Sequence, residues 1–446
     1  MEIKQLKVHL FAPVPIAPLL TLRVGFGLMM LAGTLRFMSR GWVEDHYTRP
    51  RFHFSYFGFD WVEPLGTAGM YVVHGLMLLC AMGIILGFFY RISALLFALL
   101  FTYCELIDLT YYLNHYYFIS IAAFMMAIVP ANRAFSLDIR RHPEIETAFT
   151  PRWTVLMVQV QVAIVYIYAG LAKINTEWLL EGLPLRIWLP AHTDMPLIGG
   201  LFRYETTAYL FSWAGMLYDS TVVFFLLWRP TRTLAYLSVI FFHVITGLLF
   251  QIGMFPLIMI VMALMFFPGK WHQRLWERVY RFKGNLLPLA MPDAWRRYFI
   301  ISALSLHFAF QLLFPWRYLL YKGNLFWNEE GYRFSWRVML AEKSGEAVFY
   351  VKDGAEGREG VVNNREFLNA HQEKQMSFQP DMILQFAHFL ADHYRQQGMQ
   401  DPMVRAEVYV TWNGRRSQLL IDPQVNLAEV REGWQQKTWV TQGPEE

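Results

Sequence analysis

The chain has 446 residues, of which 55% are hydrophobic, 17% aromatic and only 17% charged. Soluble domains carry about 25% charged residues, so the composition excludes an ordinary soluble multi-domain enzyme and points to an integral membrane protein with a polar appendage. The formal net charge of +4 does not call for a nucleic-acid partner, because the basic residues fall in short loops between apolar runs, where membrane topology accounts for them. Cys80 and Cys104 both lie inside apolar runs without ligand-like spacing, so neither a disulfide framework nor a metal site is predicted. The opening segment MEIKQLKVHLFAPVPIAP lacks a small-residue cleavage site behind a short apolar core and is not read as a removable signal.

A helix needs about 20 mostly apolar residues to cross a bilayer. Nine runs meet or approach that length: about 16–38, 68–90, 92–112, 114–130, 153–172, 206–228, 232–250, 253–268 and 298–314. The runs at 114–130 and 253–268 are near the lower limit, which leaves eight spans, or a re-entrant segment in place of one, open. Long alternating strands with turn signals are absent from this region, so a barrel is not predicted. With the N-terminus inside, the inner loops carry 16 Lys and Arg and the outer loops 6. Cytoplasmic loops retain positive charge, so the N-terminus is predicted cytoplasmic, in an inner or plasma membrane, and the C-terminus outside.

After Trp316 the sequence turns polar. Runs such as FSWRVML, AVFYVKDG and AEVYVTWNGRRSQLLID alternate like half-buried strands broken by Gly and Asn-Gly turns. DMILQFAHFLADHYRQQG, with Ile383, Phe386, Phe389 and Leu390 at helical spacing and a Gly stop, predicts an amphipathic helix on a small sheet. The predicted architecture is therefore a polytopic α-helical membrane domain of about nine spans over 1–314. An extramembrane α+β domain, mainly β-sandwich-like, follows over 315–446.

Titratable groups inside spanning helices are costly unless paired or solvated, which makes them functional candidates. They are Arg23, Arg36, Glu105, Asp108, His115, Lys173, Asp219 and His243, with His74 and His307 as weaker cases. Pairing of Arg23 or Arg36 with Glu105 or Asp108 would make those four structural. By the predicted topology, Asp108, Asn114-His115, the stretch from Tyr168 to Lys173, and His243 with the following GLLFQIGMFP all reach the outer leaflet. Lys173 has two readings. It is either a snorkelling interfacial lysine or a buried amine whose ammonium form is disfavoured, able to act as a general base. His115, among Tyr111, Tyr112, Tyr116 and Tyr117, is either a belt histidine or a group that orients a ligand. Asp219 and His243 read as a structural hydrogen-bonded pair or gate rather than a metal site, since no third ligand is placed. Trp178, Trp188, Met254 and Phe255 suit a flat lipophilic ligand such as a quinone, and equally a membrane protein without one.

At these residues the chain resembles the vitamin K-dependent γ-glutamyl carboxylase family, in the broad group that includes bacterial HTTM-type proteins. The stretches that carry the resemblance are LNHYYFISIAAFMMAIVPANRAFSLD, IYAGLAKINTEWLLEG with LRIWL, WAGMLYDSTVVFFLL and FFHVITGLLFQIGMFPLIMI, and in the outer domain LLFPWRYLLYKGN, EGYRFSWRVML and LLIDPQV. The resemblance implies reduced vitamin K, a menaquinol- or phylloquinol-type hydroquinone, as cofactor, with O2 and CO2 as co-substrates and no metal. It further implies that a lysine deprotonates the hydroquinone, that the 2,3-epoxide forms, and that a peptide glutamate loses its γ-proton and captures CO2. Lys173 occupies the place of the family's catalytic lysine and His115 that of its important histidine. The remaining candidates for quinone or substrate binding are Asn114, Tyr168, Trp178, Arg186, Trp188, Asp219, His243, Met254 and Phe255. The animal enzymes have a second lysine where this chain has Ala172, and the segment VVNNREFLNAHQEKQMSFQPDM matches only at scattered positions.

The function predicted first is thus a carboxylase-like membrane enzyme that couples hydroquinone epoxidation to glutamate carboxylation. Its partners would be the bilayer, the quinone and a secreted glutamate-containing peptide. A quinol epoxidase without carboxylation is the alternative. A non-catalytic receptor or transporter is the third, although no inverted halves with paired helix breaks are evident.

Overall fold

A computed structural model describes residues 8–250, 252–282, 292–354 and 357–444. Lys4, Lys7 and Lys283, counted above as inner-side charges, lie outside the described residues. The strand β1 (Pro13–Pro15) leads into α1 (Ala17–Ser39), the short α2 (Trp42–Tyr47), α3 (Gly66–Leu86), α4 (Tyr90–Ile107) and α5 (Asn114–Ile128). The strand β2 (Phe149–Pro151), antiparallel to β1, precedes α6 (Trp153–Ala172), the short α7 (Thr176–Leu180), α8 (Glu205–Leu227) and α9 (Arg232–Leu249). Then come α10 (Phe255–Ala263), α11 (Gly269–Trp276) and α12 (Ala294–Leu313).

Seven of these helices, α1, α3, α4, α6, α8, α9 and α12, are long and apolar enough to cross a bilayer. The two runs predicted to be short are the ones that fall below that standard. α5 has 15 residues, and α10, with its final turn to Phe266, meets α11 at a 112° bend. After the bend, α11 returns to α1, where His272 Nδ1 lies 2.9 Å from Thr21 Oγ1 and Trp276 Nε1 donates to the same hydroxyl at 2.9 Å. Leucines such as Leu79, Leu234 and Leu306 stay exposed on the outside of the bundle, as helices facing lipid require.

Two pairings expected among the intramembrane charges do not form. Arg23, fully buried, donates to the carbonyls of Ala131 at 3.1 Å and Ala134 at 3.4 Å, and to that of Phe135. It thus satisfies free carbonyls in the loop after α5 instead of a carboxylate. Asp108 accepts from Thr110 N at 2.9 Å and from Gln372 Nε2 at 2.6 Å. A carboxylate at the end of α4 is better served by a turn amide and an amide side chain from the other domain than by a distant arginine.

The C-terminal region holds β3 (Lys343–Asp353), β4 (Gly360–Val361), α13 (Ala370–Met376), α14 (Pro380–Gln396), β5 (Pro402–Trp412) and β6 (Gln418–Leu419). The strands form one antiparallel sheet in the order β4-β3-β5-β6. Val404, Ala406, Val408 and Val410 alternate inward along β5 to meet Ile383, Phe386 and Leu390 of α14. Where a sandwich would stack a second sheet, this helix covers the first.

FSWRVML is not a strand. Phe334, Trp336 and Met339 have φ of 57°, 59° and 53°, so the segment coils. Its aromatic side chains pack into the membrane domain, with Trp336 stacked on Tyr117 at 5.0 Å and Phe334 edge-on to Tyr112 at 4.9 Å. The alternation reflects a plug between two domains rather than a pleat.

Candidate functional site: a buried lysine–aspartate pair and a large interdomain cavity

α6 carries no charged residue up to Ala172, and Lys173 forms its C-terminal cap. The lysine folds back along its own helix. Its Nζ donates to Ala169 O at 3.1 Å and to Asp219 Oδ2 at 2.8 Å, and lies 5.3 Å from the centre of the Trp178 ring. Lys173 is 6% and Asp219 5% exposed, which rules out snorkelling. The approach of α6 to α8 depends on Gly170, where a Cβ would lie 2.6 Å from the backbone N of Ser220. Trp178 is fixed from two sides: its N–H bonds to Asn175 Oδ1 at 2.9 Å and its indole donates to Ser212 O at 2.7 Å.

His115 sits one position into α5, where Asn114 ties the helix start to the outer domain by donating to Arg337 O at 2.6 Å. The imidazole is buried against Tyr116, at 4.6 Å, and Phe255, at 5.7 Å. Neither ring nitrogen has a hydrogen-bond partner among the described residues. Gly253, in the left-handed region at φ 62°, brings the backbone so close that a Cβ there would touch His115 Nε2 at 3.8 Å. His115, Asn114, Met254 and Phe255 line a cavity of about 1320 Å³ between the membrane helices and the outer domain. Met30, Phe97 and Ile119 make part of it apolar; Arg36, Arg40 and Glu105 make another part charged.

His243 does not pair with Asp219. Its Nε2 lies 2.8 Å from the Tyr166 hydroxyl, and its buried Nδ1 has no partner among the described residues. The Phe255 ring contacts both histidines, 5.8 Å from His243 and 5.7 Å from His115. Asp219 belongs to Lys173 because a buried ammonium is the stronger claimant on a buried carboxylate. Tyr166 and Lys173 are seven residues apart on α6, roughly 10 Å along the axis, and Lys173 is not among the residues lining the large cavity.

Three other candidates lie elsewhere. Tyr168 donates to Leu312 O at 2.5 Å and accepts from Trp316 Nε1 at 2.9 Å, at a separate cavity of about 290 Å³. Arg186 pairs with Glu205 at 2.6 Å. Trp188 donates to Glu342 of the outer domain at 2.5 Å. Sequence reasoning did not single out His46 and His371, which line the cavity and sandwich Tyr111 with ring centroids 3.8 and 4.5 Å away. Burial, helped by His371 and His74, pushes the His46 pKa down to about 3. No periodicity marks residues 325 positions apart as neighbours.

Residues 11–271 match the family model of the HTTM domain, and residues 296–446 match that of the vitamin K-dependent gamma-carboxylase lumenal domain. The chain belongs to the vitamin K-dependent gamma-carboxylase family. No solved structure matches it. Membership in the gamma-carboxylase family implies a vitamin K cofactor, and the apolar helices make the protein an integral membrane one, with the lumenal-domain match pointing to an extracytoplasmic C-terminal domain. The cavity fits the flat ring of such a cofactor. Its apolar wall has a buried histidine whose nitrogens have no partner among the described residues, and the backbone at Gly253 leaves that histidine uncovered.

Proposed function

We propose that this protein oxidises a vitamin K-type hydroquinone with O2 and couples the oxidation to carboxylation of peptide glutamate. The observation that carries the reading is the buried Lys173–Asp219 pair at 2.8 Å in a chain of this family. When bound, the hydroquinone supplies the electrons that reduce O2.

The protein's own groups have separate tasks. A lysine paired with a carboxylate in a dry setting has a proton that either partner can hold. With the proton on Asp219, Lys173 Nζ is a neutral amine whose lone pair accepts from the Asp219 hydroxyl, and turning that lone pair to the substrate gives the form a general base requires. His115, with both nitrogens free of partners among the described residues, is placed to hydrogen-bond a ring oxygen, and Met254 and Phe255 exclude water from that end of the cavity. The Tyr166–His243 bond joins α6 to α9, and the His243 ring meets edge-on the Phe255 ring that also contacts His115. Secreted peptides would arrive from the outer face, with the N-terminus cytoplasmic as the loop charges indicate.

The test uses protein in nanodiscs with reduced vitamin K, O2, labelled bicarbonate and a glutamate peptide, following epoxide and fixed label separately. Both products are expected, and Lys173→Ala is expected to cut both by about 100-fold or more. Full epoxidation by that variant would remove the lysine from the mechanism. Epoxide without label would identify a quinol epoxidase, and binding without turnover a receptor or transporter.

A further inference from the structure

α1 is apolar along most of its length but ends in two arginines, Arg36 and Arg40, four positions apart and so on one face. Their guanidinium carbons lie 5.4 and 5.1 Å from the centre of the Trp42 indole, and both residues line the 1320 Å³ cavity that contains His115. Neither guanidinium has a hydrogen-bond or ion-pair partner among the described residues. The next arginine on this wall behaves differently, since Arg49 is taken up by Asp45 and by Glu44 at 3.6 Å. Of the acids facing the cavity, Asp45 is held by Arg49 and Asp108 by Thr110 and Gln372. Glu105 makes no ion pair among the described residues, so no carboxylate among them neutralises Arg36.

An intramembrane arginine without a partner is retained at a cost that a ligand can offset. Its planar fork suits a carboxylate, to which it donates two parallel hydrogen bonds, and the aromatic face beneath it limits the orientations it samples. The cavity also exceeds the range of about 300–1,000 Å³ common for a single small ligand. It has room for a flat ring at the His115, Met254 and Phe255 end and a second group at the arginines.

We propose that Arg36, flanked by Arg40 on the Trp42 indole, grips the carboxylate of an acidic peptide side chain within the His115 cavity. The subsite rests on the carboxylase reading for the identity of the peptide, but not for its charge. Arg36 is the specificity-determining residue, distinguishing glutamate from its uncharged isostere glutamine.

The experiment measures binding of two fluorescent pentapeptides, one with a central glutamate and one with glutamine, to the full-length protein in nanodiscs. The wild type should bind the glutamate peptide about tenfold more tightly, the scale of a charge-assisted bidentate contact. Arg36→Gln should lower that affinity to the level of the glutamine peptide and change the glutamine peptide's affinity by no more than about twofold. Arg40→Gln, at an exposed position, serves if the first variant fails to fold, and should reduce the preference about threefold. A wild type indifferent to the charge, or Arg36→Gln protein that keeps the full preference, overturns the proposal. Carbon dioxide fixation with Arg36-independent discrimination would sink the subsite and leave the proposed function standing. Arg36-dependent discrimination without fixation would do the reverse.

Discussion

At the residue scale the decisive feature is that Lys173 is buried with a counter-ion. Taking two charges out of water is expensive, and a buried pair is held together by what either member would suffer alone. Asp219→Asn is therefore expected to destabilise the membrane domain by about 3–5 kcal/mol, because Lys173 is left without a carboxylate. Replacing both residues, Lys173→Met with Asp219→Leu, should recover most of that loss while leaving the protein inactive. Thermal unfolding in nanodiscs alongside epoxide formation checks both statements. A double variant as unstable as the single one would show that the pair contributes more than mutual neutralisation.

Among the elements, the α6–α8 contact brings the lysine within reach of its partner. Gly170 packs against Ser220, and an added methyl would meet backbone atoms that cannot rotate away, the Ser220 N at 2.6 Å. Gly170→Ala should thus push the helices apart, costing about 1–3 kcal/mol as overpacking does, and should lower quinol turnover more than it lowers the melting temperature would suggest. Unchanged turnover in that variant would separate the helix spacing from the chemistry. The coil at 333–339 shows a second element-level effect. Its residues alternate in polarity as a strand's would, yet Arg333 bonds to Asp381 and Gln379 of the outer domain while Phe334 and Trp336 face the membrane helices. Two different neighbours on opposite sides produce the same pattern as one sheet face and one solvent face.

For the whole molecule, the outer domain and the membrane domain meet over the cavity through polar side chains. Glu177, just beyond Lys173, pairs with Arg415 at 2.5 Å and accepts from Asn413. Gln385 donates to Ser55 O at 3.0 Å, and His371 Nε2 lies 3.0 Å from Thr110 O. The His46–Tyr111–His371 stack adds a titratable joint. Burial lowers both histidine pKa values, that of His46 to about 3, so the unfolded chain takes up a proton near pH 6.5 that the folded stack refuses. Stability contributed by the neutral stack is full above about pH 6.5 and falls as the pH drops from there toward 3. The melting temperature of the wild type should fall between pH 7.5 and 5, and His46→Phe, which keeps a ring in the stack, should flatten that fall. An identical slope in the variant would clear His46 of the effect.

Much of this was legible in the chain itself. Apolar run length alone determines the helical membrane domain, the two segments too short to span straight, and the change to an α+β domain after Trp316, because the bilayer imposes one length and one composition on whatever crosses it. It also determines which titratable residues are worth attention, since few charges are tolerated there. Partnership was decided only in three dimensions. That Asp219 belongs to Lys173 and not to His243, that Arg23 serves carbonyls while Arg36 is left facing a cavity, and that His46 and His371 clasp Tyr111 all depend on side chains from distant elements meeting. A charge in a low-dielectric interior takes the best partner within a few ångströms, and only the packing of the helices says which group that is.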